Sequence, residues 1–115
     1  MNGPAKRALV VLAVCAGLAL RAAVADELDG EALVTEKRCI ACHDLSNALI
    51  GPPYRAIAAR HAAQKDIMVD VLAQKIIVGG AGNWGIVPMV PNEHVSLDEA
   101  RAISRWILGL AQPSE

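Results

Sequence analysis

The sequence predicts a small all-α domain of helices and loops. Four segments place apolar residues at helical spacing behind recognisable caps. No stretch alternates apolar and polar residues as a half-buried strand does. The chain has two Trp, one Tyr and no Phe, too few large rings to fill a core easily at this size. A small domain so short of rings commonly enlists a disulfide framework, a metal or a cofactor.

The N-terminus comes first and stands apart. Lys6 and Arg7 precede "ALVVLAVCAGLAL", an apolar run of thirteen residues, and "RAAVA" follows. A basic start, an apolar middle and a small-residue exit are the parts of a secretory signal peptide. The run is shorter than the roughly 20 residues that span a bilayer. The expected division is a signal peptide over 1–25, with cleavage after Ala25, and one domain over 26–115. Cys15 follows Val14, where a lipoprotein signal needs a small residue, so it reads as part of the removed apolar run. Removal takes away Lys6, Arg7 and Arg21. Eight Lys and Arg then face twelve Asp and Glu, a net charge of −4. That balance leaves no basic patch suited to nucleic acid.

The first helix is expected in "DGEALVTEKRCIACH", with Asp29 as N-cap and Ala32, Leu33, Ile40 and Ala41 along its apolar side. "PYRAIAARH" predicts a second, short helix with Pro53 in its first turn. "DIMVDVLAQKIIV" predicts a third, with Met68, Val71, Leu72 and Ile76 near one face and Gly79-Gly80 as its stop. Ser96 and Glu99 form a capping box for the last helix, in which Leu97, Ala100, Ile103 and Ile107 recur at helical spacing. Between the third and fourth lies "GGAGNWGIVPMVPNEHV", too rich in Gly and Pro for regular structure. A long loop in so small a domain is usually functional.

The chemistry sits in "KRCIACHDL". Cys39, Cys42 and His43 form C-x-x-C-H, the attachment pattern of a c-type haem. Positions i and i+3 share one side of a helical turn, so both sulfurs can reach the two vinyl groups along one side of a porphyrin. His43, the next residue, then aims its imidazole at iron. A zinc site would need two further ligands, and His61 and His94 fit no finger spacing. A redox dithiol would need a βαβ setting. A disulfide between Cys39 and Cys42 would close too small a loop to constrain much.

Iron has a second axial position, for which Met89, Met68, His61 and His94 are candidates. Met68 lies on the apolar face of a helix, where Met is ordinary packing. His61 and His94 have polar neighbours and read as solvated. Met89 lies between Pro88 and Pro91, which stiffen the chain around a weakly binding thioether.

"CIACH", "IGPPY", "NWGIVPMVPN" and "SLDEARAISRWIL", in that order, resemble the small bacterial class I cytochromes c. The resemblance covers essentially all of 26–115. It implies an all-α fold of helices and loops wrapped around one covalently bound haem c, with the N- and C-terminal helices crossing. By position, Cys39 and Cys42 resemble the thioether cysteines, and His43 and Met89 the axial iron ligands. Pro52 matches the proline whose carbonyl accepts the histidine Nδ1–H bond. Trp84 and Lys75 match residues that neutralise or bond haem propionates, and Asn92 one whose amide reaches the methionine sulfur. "IIVGGAGN" and the bulky Ile86-Val87 pair depart from the pattern. The function implied is a periplasmic, monomeric one-electron carrier, not an enzyme. It would serve redox partner proteins (reductases, peroxidases or oxidases) in transient encounters, with no membrane span once the signal is gone. The alternative is a haem c subunit of a larger periplasmic redox complex. A gas-binding role would need a vacant sixth position, which a proline-flanked Met89 opposes.

Overall fold

The computed structural model describes residues 28–111. The expected signal peptide and its cleavage point lie outside the described residues. Among the described residues four α-helices form, α1 over Gly30–Glu36, α2 over Tyr54–Arg60, α3 over Lys65–Val78 and α4 over Leu97–Gly109. Among the described residues there is no strand, and one isolated antiparallel bridge joins Gly80 to Met89.

The caps act where the sequence places them. Asp29 Oδ1 accepts the Ala32 N–H at 3.1 Å. Ser96 Oγ accepts from Glu99 N at 3.2 Å, and the Glu99 carboxylate accepts from Ser96 N at 2.9 Å. Those bonds, with Lys37 Nζ 2.9 Å away, hold the Glu99 carboxyl below its ordinary range. Lys37 closes α1, so this ion pair ties the end of α1 to the start of α4.

The first helix is shorter than the apolar spacing suggests. It stops at Glu36, and Arg38 takes a left-handed conformation with φ 65°. The chain then re-forms a separate 3₁₀ turn over Cys39–Ala41. Ile40, expected on the buried side, is 50% exposed as a result.

Helix α4 packs against the other three helices, and most extensively along α3. Its crossing with α1 depends on Gly30. A Cβ there would meet the Ala102 carbonyl oxygen and lie 2.6 Å from Trp106 Cβ. The core gathers Leu33 and Val34 of α1, Tyr54 and Ile57 of α2, Ala73 and Ile76 of α3, and Ala100, Ile103 and Ile107 of α4. The four residues expected near one face of α3, Met68, Val71, Leu72 and Ile76, all line one cavity. Ala73 and Ile76 are buried toward the core, whereas Ile67, Val71 and Val78 are exposed. Apolar residues surround it because two sides have work to do: one packs on α4, the other walls a cavity.

Candidate cofactor site

The cavity has a volume of about 750 Å³, within the usual range for a small-molecule or cofactor site. Cys39, Cys42 and His43 contribute one wall. Met68, Leu72 and Lys75 of α3 line another, and the loop from Gly79 to Asn92 lines the rest.

The turn that carries the cysteines is locally built. Cys42 N donates to Cys39 O at 3.1 Å, and His43 N donates to the same carbonyl at 3.0 Å. No disulfide joins Cys39 to Cys42, and burial pushes the Cys39 thiol up. Among the described residues, no three His, Cys, Asp or Glu side chains gather as a metal cluster.

His43 is positioned from three directions. Its Nδ1–H donates to the Pro52 carbonyl at 2.7 Å, since a carbonyl can only accept. This bond selects the tautomer in which Nε2 keeps its lone pair free for a metal. Gly51 lies flat against the ring, and a Cβ there would come within 2.5 Å of His43 Cε1. Tyr54 stacks on the imidazole with centroids 5.5 Å apart, and Trp106 meets Tyr54 edge-on at 5.2 Å. The Tyr54 hydroxyl is buried without a protein partner, and burial raises its pKa well above the usual phenol value.

Met89 is held by backbone. Its N–H donates to Gly80 O at 3.0 Å, and its carbonyl accepts from Gly80 N at 2.9 Å. Gly79, with φ 70°, makes this approach possible, because a Cβ there would run into the Met89 carbonyl. Met68 and His61 also line the cavity, whereas His94 is exposed and away from it. His61 was expected in solvent. It is half-buried because the chain turns there from α2 toward α3. Of the four candidates, Met89 is the one whose backbone is bridged to a separate segment, whereas His61 bonds within its own turn and Met68 lies inside α3.

The remaining expected residues divide. Trp84 and Lys75 line the cavity, with Lys75 Nζ close to Gly80. Asn92 lines it too, but its Nδ2 donates to Ile76 O at 3.0 Å and Val90 O at 3.2 Å. Its amide therefore ties the loop to the end of α3, where helix carbonyls lack partners. Sequence reasoning missed Gly51, Tyr54, Arg38 and Arg60. Gly51 and Tyr54 flank Pro52 in a segment already singled out. Arg38 and Arg60 carry no local signal.

A haem c fits this site. The walls are mainly apolar, the thiols and imidazole share one turn, and an orphaned hydroxyl awaits a partner. Arg38, Arg60 and Lys75 line the cavity with no Asp or Glu beside them, although acids outnumber bases after residue 25. An apolar macrocycle bearing two carboxylates suits such a lining.

Comparison with known proteins agrees. The family model described as Cytochrome c matches residues 28–111. Cytochrome c-551 of Azotobacter vinelandii is 44% identical over 79 residues, covering 69% of this chain and 94% of that protein. Cytochrome c-552 of Hydrogenobacter thermophilus is 46% identical over 80 residues, covering 70% and 80%. The crystal structure of Nitrosomonas europaea cytochrome c552 aligns with TM-score 0.65 and 42% identity, over 70% of this chain and 98% of that one. The chain belongs to the cytochrome c family, among its small class I monohaem members, and carries one covalently bound haem c with its iron.

Proposed function

We propose that this haem c electron carrier is a periplasmic shuttle, exported by residues 1–25, that moves single electrons between respiratory redox proteins. The observation that carries the reading is the pairing of His43, fixed by Pro52 O, with Met89, fixed by Gly80. Cys39 and Cys42 would hold the group through thioethers. His43 Nε2 and the Met89 sulfur would ligate its iron. Trp84 and Lys75 would meet its propionates. When bound, the haem supplies a one-electron Fe(III)/Fe(II) couple, whose potential His/Met ligation raises. The protein's part is to keep both ligands in place in both oxidation states and to exclude water from the iron. With both His43 and Met89 as ligands, no position on the iron would be left for a substrate, which favours a carrier over an enzyme or gas sensor. Among the described residues, no helix is long and apolar enough to cross a membrane.

The mature protein recovered from a host competent in haem c attachment is expected to have the mass of residues 26–115 plus one haem. Intact-mass spectrometry checks both ends of the claim. Haem that extracts into acidified organic solvent refutes covalent attachment, and a mass retaining residues 1–25 refutes cleavage.

Partners are proposed to dock on an apolar rim at the cavity mouth. Ile50, Val87 and Val90 line the mouth and remain well exposed, and Ile86 beside them is 94% exposed. Exposed apolar patches of this kind mark interaction sites. Redox encounters use small contacts, below about 1,200 Å² in total, so that a carrier leaves after each electron. Ile86→Asp is the sharper probe, because Ile86 lies outside the cavity lining. It is expected to slow the bimolecular step in stopped-flow transfer to a purified partner, with spectrum and potential nearly unchanged. Unaltered transfer in both Ile86→Asp and Val90→Asp places docking on another face.

A further inference from the structure

The cavity has two walls that are far apart in sequence. One is the segment from Cys39 to Arg60, which carries His43, Pro52 and α2. The other is the loop from Gly79 to Asn92, which carries Trp84 and Met89. A single hydrogen bond joins these two segments among the described residues. Arg60 Nη1 donates to the carbonyl of Asn83 at 2.6 Å. The same guanidinium lies over the Trp84 ring, with Cζ 4.7 Å from the ring centroid.

The loop needs such a tie. Its root is held by the Gly80–Met89 pair, and Asn92 anchors its far end to α3. Its tip has only a turn of its own, Gly82 N to Gly85 O at 2.9 Å, with both glycines at positive φ. A Cβ at either glycine would meet nothing within 4 Å, so no neighbouring side chain packs the tip down at those points. Trp84 itself is 45% exposed.

We propose that Arg60 is a clamp that closes the Met89 loop against α2 and thereby keeps Met89 from leaving the iron. Arg60 is a positioning residue in this scheme, acting through Asn83 and Trp84. It rests on Met89 being the distal ligand. An arginine suits the task because its planar fork can stack on a ring and donate to a carbonyl at once, which a lysine ammonium cannot. The contact also joins the wall that supplies one ligand to the wall that supplies the other. An external ligand can reach iron only after the methionine sulfur has moved away, and moving it requires the loop to separate from α2. The clamp therefore controls the exchangeability of the sixth position without touching it.

The test uses the ferric holoprotein and cyanide as the probe. Arg60→Gln is expected to speed cyanide binding about tenfold or more, the size of effect that follows from losing a charged hydrogen bond. Arg60→Lys should fall between Gln and wild type. Arg101→Gln serves as a stability control, since Arg101 pairs with Asp70 at 2.7 Å across α4 and α3, away from the loop. It should leave the binding rate unchanged. The near-infrared band of methionine ligation is recorded for every variant. If wild type shows the band and Arg60→Gln binds cyanide no faster, the clamp is overturned and the Met89 assignment stands. Equal acceleration in Arg101→Gln also overturns it, because general loosening then explains the effect. A wild type without the band sinks the ligand assignment and the clamp together.

Discussion

Met89→Ala is expected to abolish the near-infrared charge-transfer band of methionine–haem ligation and to lower the reduction potential. The reason is the loss of a neutral, soft thioether that favours the ferrous state. No neighbour can replace it cheaply. Met68 belongs to α3, a fourteen-residue helix packed on α4, and cannot shift without disturbing that contact. Met68→Ala is the matched control. It should keep the band and lose packing alone. Met68 is only half-buried, so the stability cost belongs at or below the low end of the buried-methionine range, about 2 kcal/mol. Absorption spectroscopy and voltammetry of the two variants decide the matter. A band lost in Met68→Ala and retained in Met89→Ala reverses the assignment.

Gly30→Val is expected to produce the largest stability loss of any single change in the helical frame. Gly30 is buried in the first turn of α1, where a Cβ would overlap the Ala102 carbonyl and crowd Trp106. Overpacking a core ordinarily costs about 1–3 kcal/mol. Here the obstacle is helix backbone, which cannot rotate away, so the cost should exceed about 3 kcal/mol. That is a large share of the roughly 5–15 kcal/mol that holds a domain together. Gly109→Ala tests the specificity of the argument. A Cβ at Gly109 would meet nothing within 4 Å, and Ala is a better helix former by up to about 1 kcal/mol. Denaturant unfolding of the holoprotein should separate the two variants clearly. Equal stability in Gly30→Val and wild type would show that α1 and α4 do not cross through this contact.

The site was unevenly legible. Cys39, Cys42 and His43 could be read because their geometry is set within one turn of chain. The expected role of Pro52 came from a resemblance, and the bond from Nδ1 follows from nine residues of chain folding back. The position of Asn92 also came from a resemblance, and the bonds of its amide to the carbonyls of Ile76 and Val90 depend on how the loop meets α3. His61 and Met68 were judged by their neighbours in sequence. Their presence in the cavity wall depends on how α2 and α3 meet. Arg60 was invisible, since its partners lie 23 and 24 positions further on, in a loop with no periodicity to place it.

By itself the sequence determined the helical class, the caps at Asp29 and Ser96, the stop at Gly79, and the turn that presents two thiols and an imidazole. These depend on hydrogen bonds and spacings within a few residues, which local composition dictates. Tertiary structure decided the rest. It broke the first helix at Arg38, gave α3 two apolar sides, brought Gly30 against Ala102, and paired Gly80 with Met89. The close approach of Gly30 to Ala102 and the pairing of Gly80 with Met89 depend on contacts between separate segments of the chain. Their cost in ordering entropy is recovered only when several helices pack together, and no local pattern records which partner will be there.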